Sequence, residues 1–199
     1  MEVVELRPGL WRWTAAHPEW VPGDHWPRVV ASVYAELPDA LVVIDPLVPH
    51  DEAERFWAAF DRDVERSGRP VCVLLTVHWH ERNAAEVLER YGGTLWRPEQ
   101  RDAPLPSGVQ AHLVDGADWV EALFYLEPFD TLVAGDLLIA DPTLRVPVSW
   151  FPTEEKDWAR VDLKERLRPL LDRKVDLVLV AHGNPVLNGA HAALSAALS

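Results

Sequence analysis

The sequence predicts an α+β fold of four layers, αββα, in which two β-sheets pack face to face and helices cover their outer sides. Segments with the apolar patterns of strands occur in runs, and helical segments interrupt these runs instead of following every strand. This order is typical of sheets that pack on each other, because strict alternation of strand and helix would instead indicate one parallel sheet. Residues 1–199 are expected to form one domain, since this length can bury a single core.

Strand patterns dominate the first third of the chain. Residues 10–14 alternate, residues 29–37 are rich in β-branched and aromatic side chains, and residues 40–44 form a short apolar run. The connection at residues 15–27 contains three prolines and should resist regular structure. It carries His17 and His25, which we expect at the surface unless the loop folds over a pocket.

The rest of the chain alternates short strands with helices. Helices are predicted at residues 51–67, 83–91, 154–171 and 189–198, and strands at 71–76, 95–96, 111–114, 120–126, 131–134 and 177–181. A proline-rich stretch at residues 141–152 is a candidate flap. Several tryptophans lie near the start of the chain, where core packing is the first interpretation and an aromatic pocket wall the second: Trp11, Trp13, Trp20 and Trp26.

Composition excludes several classes of protein. A net charge of -13 disfavours nucleic-acid binding, which needs clustered Lys and Arg. The lone Cys72 allows no internal disulfide, and the acidic N-terminal residues do not form a secretory signal. No apolar run is long enough for a membrane span. These features predict a cytoplasmic protein that binds neither nucleic acid nor a membrane.

Candidate metal ligands follow the apolar runs. Asp45 ends one run, His78 and His80 follow the next, and Asp136 and His182 follow two later ones. Strand ends meet at one edge of a sheet, so these side chains are expected to converge. In extended backbone, residues two apart point the same way, which would let His78 and His80 bind one ion while the residue between them packs elsewhere. Asp45 is expected to brace the ligands from behind.

The order of these segments resembles that of the metallo-β-lactamase superfamily. Its signature is H-x-H-x-D-H, then a G-H turn, a G-D and a final histidine. The corresponding segments are His78-Trp79-His80-Glu81-Arg82-Asn83, Gly116-Ala117, Gly135-Asp136 and His182-Gly183. The resemblance covers nearly the whole chain and implies the αββα sandwich of that family.

Three positions depart from the family signature. In that family, the two histidines of H-x-H, at the positions of His78 and His80, and the G-H histidine hold one metal. The D-H pair and the final histidine hold the other metal, and the aspartate of G-D, at the position of Asp136, bridges the two. Arg82 and Asn83 replace the D-H pair, and Ala117 replaces the G-H histidine. Arg82 cannot ligate a metal and keeps its charge, so we hypothesise that it pairs with Asp136 where a second metal would stand.

Two functions follow from this degenerate metal site. The first is a protein without standard two-metal hydrolysis that binds a small molecule or partner in the old cleft. The alternative is a mononuclear metal-dependent hydrolase of a small ester, thioester or lactone, with one zinc ion held by His78, His80 and Asp136, and with His182 as a fourth ligand or as a base. Under the first function the protein holds no metal, and these residues have structural roles. The sequence leaves open whether the protein is an enzyme.

Overall fold

The first sheet contains six strands, and the computed structural model describes it together with the rest of residues 1–199. Its strands lie in chain order: β1 (Glu2–Arg7), β2 (Leu10–Ala16), β3 (Val29–Glu36), β4 (Leu41–Ile44), β5 (Val71–Leu74) and β6 (Thr94–Trp96). The first four pair antiparallel, and β4, β5 and β6 pair parallel. The parallel strands need crossover connections, which the helices α1 (Ala53–Ser67) and α2 (Ala84–Tyr91) supply.

The second sheet contains four strands in the order β12-β9-β8-β7. Its members are β7 (Val109–Asp115), β8 (Val120–Leu126), β9 (Thr131–Ala134) and, after the small hairpin of β10 (Ile139–Ala140) and β11 (Leu144–Arg145), β12 (Leu177–Val180). β12 runs parallel to β9, and the other neighbours are antiparallel. The helices α3 (Lys156–Arg160), α4 (Asp162–Leu167) and α5 (Ala190–Ala197) accompany this sheet.

Three hydrophobic clusters separate four layers. Alternate residues of β4 point to opposite sides, so that Leu41 and Val43 pack with α1 and α2 while Val42 and Ile44 face the second sheet. The cluster between the sheets includes Phe124 of β8, which is fully buried. A third cluster packs the other face of the second sheet against α3, α4 and α5. The predicted αββα sandwich is therefore confirmed.

One predicted helix differs from the structure, and one strand was missed. The helix predicted at residues 154–171 is broken at Val161, whose φ of -119° and ψ of -70° interrupt the helical backbone. Val161 is exposed, and Leu163 and Leu167 are the buried residues of the second half of this segment. The edge strand β1 was not predicted, because most of its residues are exposed and no face of it carries a buried pattern.

The helices are too short or too polar to cross a lipid bilayer.

Candidate functional site

The site lies where the two sheets meet at the ends of four strands. Asp45 follows β4, Thr76 lies two residues after β5, Asp136 lies two residues after β9, and His182 lies two residues after β12. Backbone hydrogen bonds join the sheets at this edge. One runs from Ala31 N to Ala181 O at 2.8 Å, and another from Ala122 N to Thr76 O at 2.7 Å. Residues distant in sequence are thereby held together by regular secondary structure.

His80, Asp136 and His182 form a cluster of potential metal ligands. One ligand atom from each lies within 4.8 Å of the others. Asp136 Oδ1 is 3.3 Å from His80 Nε2 and 3.1 Å from His182 Nε2, yet neither contact has hydrogen-bond geometry, so this buried oxygen has no donor. Tetrahedral zinc with bonds of about 2.0 Å needs ligand atoms about 3.3 Å apart. Both nitrogen–oxygen distances are close to this value.

Asp45 and Thr76 hold the far side of the His80 ring. Asp45 Oδ1 accepts a hydrogen bond from Thr76 N at 2.8 Å, and Asp45 Oδ2 accepts one from Thr76 Oγ1 at 2.6 Å. Asp45 Oδ2 also lies 2.9 Å from His80 Nδ1. A carboxylate at this nitrogen favours the proton there and leaves Nε2 free to bind a metal. Asp45 lies behind the candidate ligands, where the sequence analysis placed it.

His78 lies apart from the other three candidate ligands, His80, Asp136 and His182. The expectation of extended backbone was wrong, because residues 78–80 form a 3-10 turn, in which residues two apart point in different directions. The His78 side chain is 52% exposed, with Nδ1 3.8 Å from Glu99. Trp79, expected to pack away, donates instead from Nε1 to Asp136 Oδ2 at 2.7 Å and so orients that carboxylate.

Arg82 takes a different position from the one hypothesised. Its Nη1 donates to two backbone carbonyls, Ala31 O and Asp45 O, each at 2.9 Å. The expected ion pair with Asp136 is absent, because these carbonyls engage the guanidinium. Arg82 also has a left-handed backbone with φ of 42°, which is unusual for a residue with a long side chain. Its side chain nevertheless lines the same cavity as the cluster.

Asn83 and Ala117, the other two substituted positions, lie outside the cavity. Asn83 Oδ1 accepts a hydrogen bond from Val48 N at 2.8 Å, and its Nδ2 donates to Glu86. Asn83 therefore braces the segment after β4 at the start of α2. Ala117 is exposed in the turn between β7 and β8, although its neighbours Asp118 and Trp119 line the cavity.

The buried groups of the site influence one another's protonation. Burial alone lowers the pKa of His80, but Asp136 and Asp45 outweigh it and raise this pKa to about 9. Burial lowers the pKa of His182, and Asp136 only partly opposes that effect. The two histidines outweigh burial and hold the pKa of Asp136 well below its usual range. Burial, together with the charge of Asp136, raises the pKa of Glu121 to about 8. In the absence of metal, His80 and Glu121 therefore hold protons at neutral pH.

A cavity of about 520 Å³ opens above this cluster. Its aromatic lining consists of Trp26, Trp79, Trp119, Trp150 and Phe151. The loop between β2 and β3 contributes His17 and His25, so it folds over the cavity, whereas Trp11 and Trp13 pack on the outer side of the first sheet. The His182 ring lies between Trp26 and Trp150, with ring centroids 5.9 and 5.0 Å away. The volume suits a small molecule.

Thr76 and Glu121 are site residues that the sequence analysis missed. Glu121 is 1% exposed, and its Oε1 accepts a hydrogen bond from Leu137 N at 3.0 Å. A signal for Glu121 was present, because a carboxylate within the otherwise apolar strand β8 must be buried with a partner. Thr76 gave no such signal, since a threonine at the end of a strand is common.

Solved structures of metallo-β-lactamase type resemble this chain along nearly its whole length. A β-lactamase domain protein from Burkholderia ambifaria matches with a TM-score of 0.63 and 18% identity, covering 98% of this chain and 76% of that one. A metallo-β-lactamase from Pontibacter korlensis matches at 0.59 and 15%, covering 99% and 98%. The metallo-β-lactamase DIM-1 matches at 0.58 and 11%, covering 99% and 95%. No family model and no curated protein sequence matches the chain. The order of strands, the position of the site and these similarities show that the chain has the metallo-β-lactamase fold.

Proposed function

We propose that this protein is a mononuclear metal-dependent hydrolase of a small ester, thioester or lactone. The observation that carries the proposal is the convergence of His80 Nε2, His182 Nε2 and Asp136 Oδ1, with no donor bound to the aspartate oxygen. Three protein ligands beside an open cavity are typical of catalytic zinc sites. The metallo-β-lactamases of similar fold support a hydrolytic reaction only by analogy.

The residues of the chain would hold the metal and prepare the site. His80, Asp136 and His182 would bind zinc, which supplies activation of water and polarisation of a carbonyl group. Asp45 keeps the proton of His80 on Nδ1, and Trp79 fixes the second oxygen of Asp136. Glu121 is a cavity-lining carboxyl that holds a proton close to the cluster.

The cavity walls would bind the substrate and limit access of water. Trp26 comes from the loop after β2, and Trp150 comes from the segment that follows β11. Both rings contact His182, so an apolar substrate group that packs against them from the cavity would lie next to a metal ligand. The acidic surface supports a small molecule, rather than nucleic acid, as the ligand.

A second candidate function is non-catalytic binding of a small molecule in the same cavity. Arg82 favours it, because a guanidinium in the cavity wall lowers the affinity for a nearby cation. This function needs the cavity but no metal.

Metal content tests the two functions. Elemental analysis of the protein after dialysis against zinc should find about one ion per chain, as expected for a single three-ligand site. His80→Ala should lose the ion. His78→Ala is the matched control, since it removes an exposed imidazole two residues away and should retain the ion. Absence of zinc from the unmodified protein, or equal loss in both variants, would refute the proposed site. A metal-loaded protein that hydrolyses no ester, thioester or lactone would favour the binding function.

A further inference from the structure

Arg82 carries a positive charge that no carboxylate of the protein neutralises at close range. Its only hydrogen-bond acceptors are the carbonyl oxygens of Ala31 and Asp45, and both are bound by Nη1. Nε is buried without a partner. Both carboxylates of the site are engaged elsewhere, Asp45 with Thr76 and His80, and Asp136 with Trp79 and the histidines. Asp45 and Asp136 act on Arg82 through their charges but accept no hydrogen bond from it, so Nε lacks an acceptor and a ligand that supplies one is favoured.

The cavity around Arg82 has a polar inner end and apolar walls. The metal-ligand cluster and Arg82 are on one part of the lining, and Trp26, Trp119, Trp150 and Phe151 provide aromatic surface. Trp119 and Phe151 lie 6.4 Å apart between ring centroids, and both contact Trp158 behind them. These rings are held in place by packing and can bind the apolar body of a ligand.

Outside the cluster of His80, Asp136 and His182, the remaining charges of the lining are acidic. Glu19 and Asp118 are exposed, and Glu155 is half-buried. No lysine lines the cavity, and Arg82 is its one arginine. A second negative charge that lies away from this cluster would therefore meet carboxylates and no further cation. This arrangement favours one anionic group over two.

We propose that Arg82 is an anion-binding residue that holds the carboxylate of a monoanionic ligand, whose apolar body packs against the cavity tryptophans. A guanidinium binds a carboxylate through charge-assisted hydrogen bonds, and here the bonds would form in a largely desolvated wall. The inference rests on the proposed function in one respect: if the protein is a hydrolase, the ligands that bind this cavity include its substrate. It adds that the substrate of the hydrolase carries a carboxylate next to an aromatic or aliphatic group.

Calorimetric titration of the metal-free protein tests the proposal without any hydrolysis. The probe is phenylacetate, and its neutral counterpart is phenylacetamide. We expect phenylacetate to bind at least about tenfold more tightly, as charged hydrogen bonds imply. 1,4-Phenylenediacetate, which adds a second carboxylate at the opposite end of the ring, should bind more weakly than phenylacetate. No binding of phenylacetate, or equal binding of the acid and the amide, would overturn the proposal.

Variants then assign the preference to one residue. Arg82→Met keeps an unbranched side chain without charge and should abolish the preference for phenylacetate, while Arg82→Lys should retain part of it. Arg7→Met is the matched control, because Arg7 also donates to a backbone carbonyl, that of Phe129, but lies outside the cavity. A preference that persists in Arg82→Met would refute the role of this residue. Should that variant not fold, the comparison of the three probes with the unmodified protein still decides whether the cavity selects a monoanion.

The anion test and the metal test have separate outcomes. If the protein selects phenylacetate but binds no zinc, the anion site is supported and the proposed hydrolase is refuted. If it binds zinc but does not select phenylacetate, the metal site is supported and the anion site is refuted.

Discussion

Replacing Asp45 by asparagine tests the arrangement that prepares His80 for a metal. Asp45 is 3% exposed and has a left-handed φ of 49°, a conformation that asparagine tolerates well. The substitution therefore changes the hydrogen bonds with little change in shape. The amide oxygen can still accept from Thr76 N, but the amide nitrogen would replace Oδ2, which faces both Thr76 Oγ1 and His80 Nδ1.

The expected consequence is a change of tautomer at His80. An amide N–H facing Nδ1 favours the ring form that carries its proton on Nε2, which is the nitrogen that faces Asp136. Binding of zinc would then require the proton to move back against this hydrogen bond. Loss of such a supporting carboxylate weakens metal affinity by about 10- to 100-fold. The lost charged hydrogen bond should also lower the free energy of unfolding by about 2 kcal/mol.

Zinc competition with a chromophoric chelator measures the affinity, and urea unfolding measures the stability. Asp39→Asn is a suitable control, because Asp39 also accepts hydrogen bonds from one backbone N–H and one hydroxyl, both of Ser107, but is exposed and distant from the site. That control should leave zinc affinity unchanged. Nitrogen chemical shifts of His80 report its tautomer directly. Asp45→Asn protein that binds zinc with unchanged affinity would refute the role assigned to this carboxylate.

Two further predictions concern packing and pH. Gly135→Ala should weaken zinc binding, because the new Cβ would lie 2.5 Å from Thr76 Oγ1 and displace that hydroxyl. Gly68→Ala is the control, because Gly68 has open space around it and a positive φ of 63°. The control should lower the free energy of unfolding by about 1 kcal/mol and leave zinc affinity unchanged. Hydrogen bonds from Arg90 lower the pKa of Asp61 to about 2, so this contribution to stability is present above about pH 4 and is lost as the pH falls through about 2. Urea unfolding should therefore find Asp61→Asn less stable by about 0.5 to 1 kcal/mol at pH 7, with the difference shrinking towards pH 2. An equal difference at both pH values would contradict this assignment.

The layers of the fold could be predicted because burial leaves a local pattern in the sequence. Fully buried strands such as β4, β5 and β12 are short apolar runs, and α1 has one apolar stripe. β1 lacked such a pattern, since its residues lie at the exposed edge of a sheet. The break at Val161 was also not predictable, because the residues around it suit a continuous helix, although Ala159 and Leu163 on either side of it pack in the same cluster as the second sheet.

The site was predictable where strand topology alone decides position. Asp45, Asp136 and His182 follow strands of known order, so their convergence depends on the fold and not on local conformation. The direction of His78 depends instead on the backbone of residues 78–80, which forms a turn that the H-x-H pattern does not reveal. The same limit applies to Arg82, whose acceptors Ala31 and Asp45 lie 51 and 37 residues earlier in the chain.

Arg82 also bears on how many ions this site suits. The family signature has an aspartate at the position of Arg82, and the exchange of aspartate for arginine makes the local charge more positive by two units. Two units are the charge of one divalent ion. A site with Arg82 and one metal therefore has the same net charge as a site with the aspartate and two metals, so its electrostatic balance with Asp45 and Asp136 is kept. A second ion beside Arg82 would add repulsion without any added ligand, since neither Asn83 nor Ala117 reaches the cavity. Under the proposed function, charge and ligand number together would favour one ion at His80, Asp136 and His182, and would leave the guanidinium available to an anionic group of the proposed ligand.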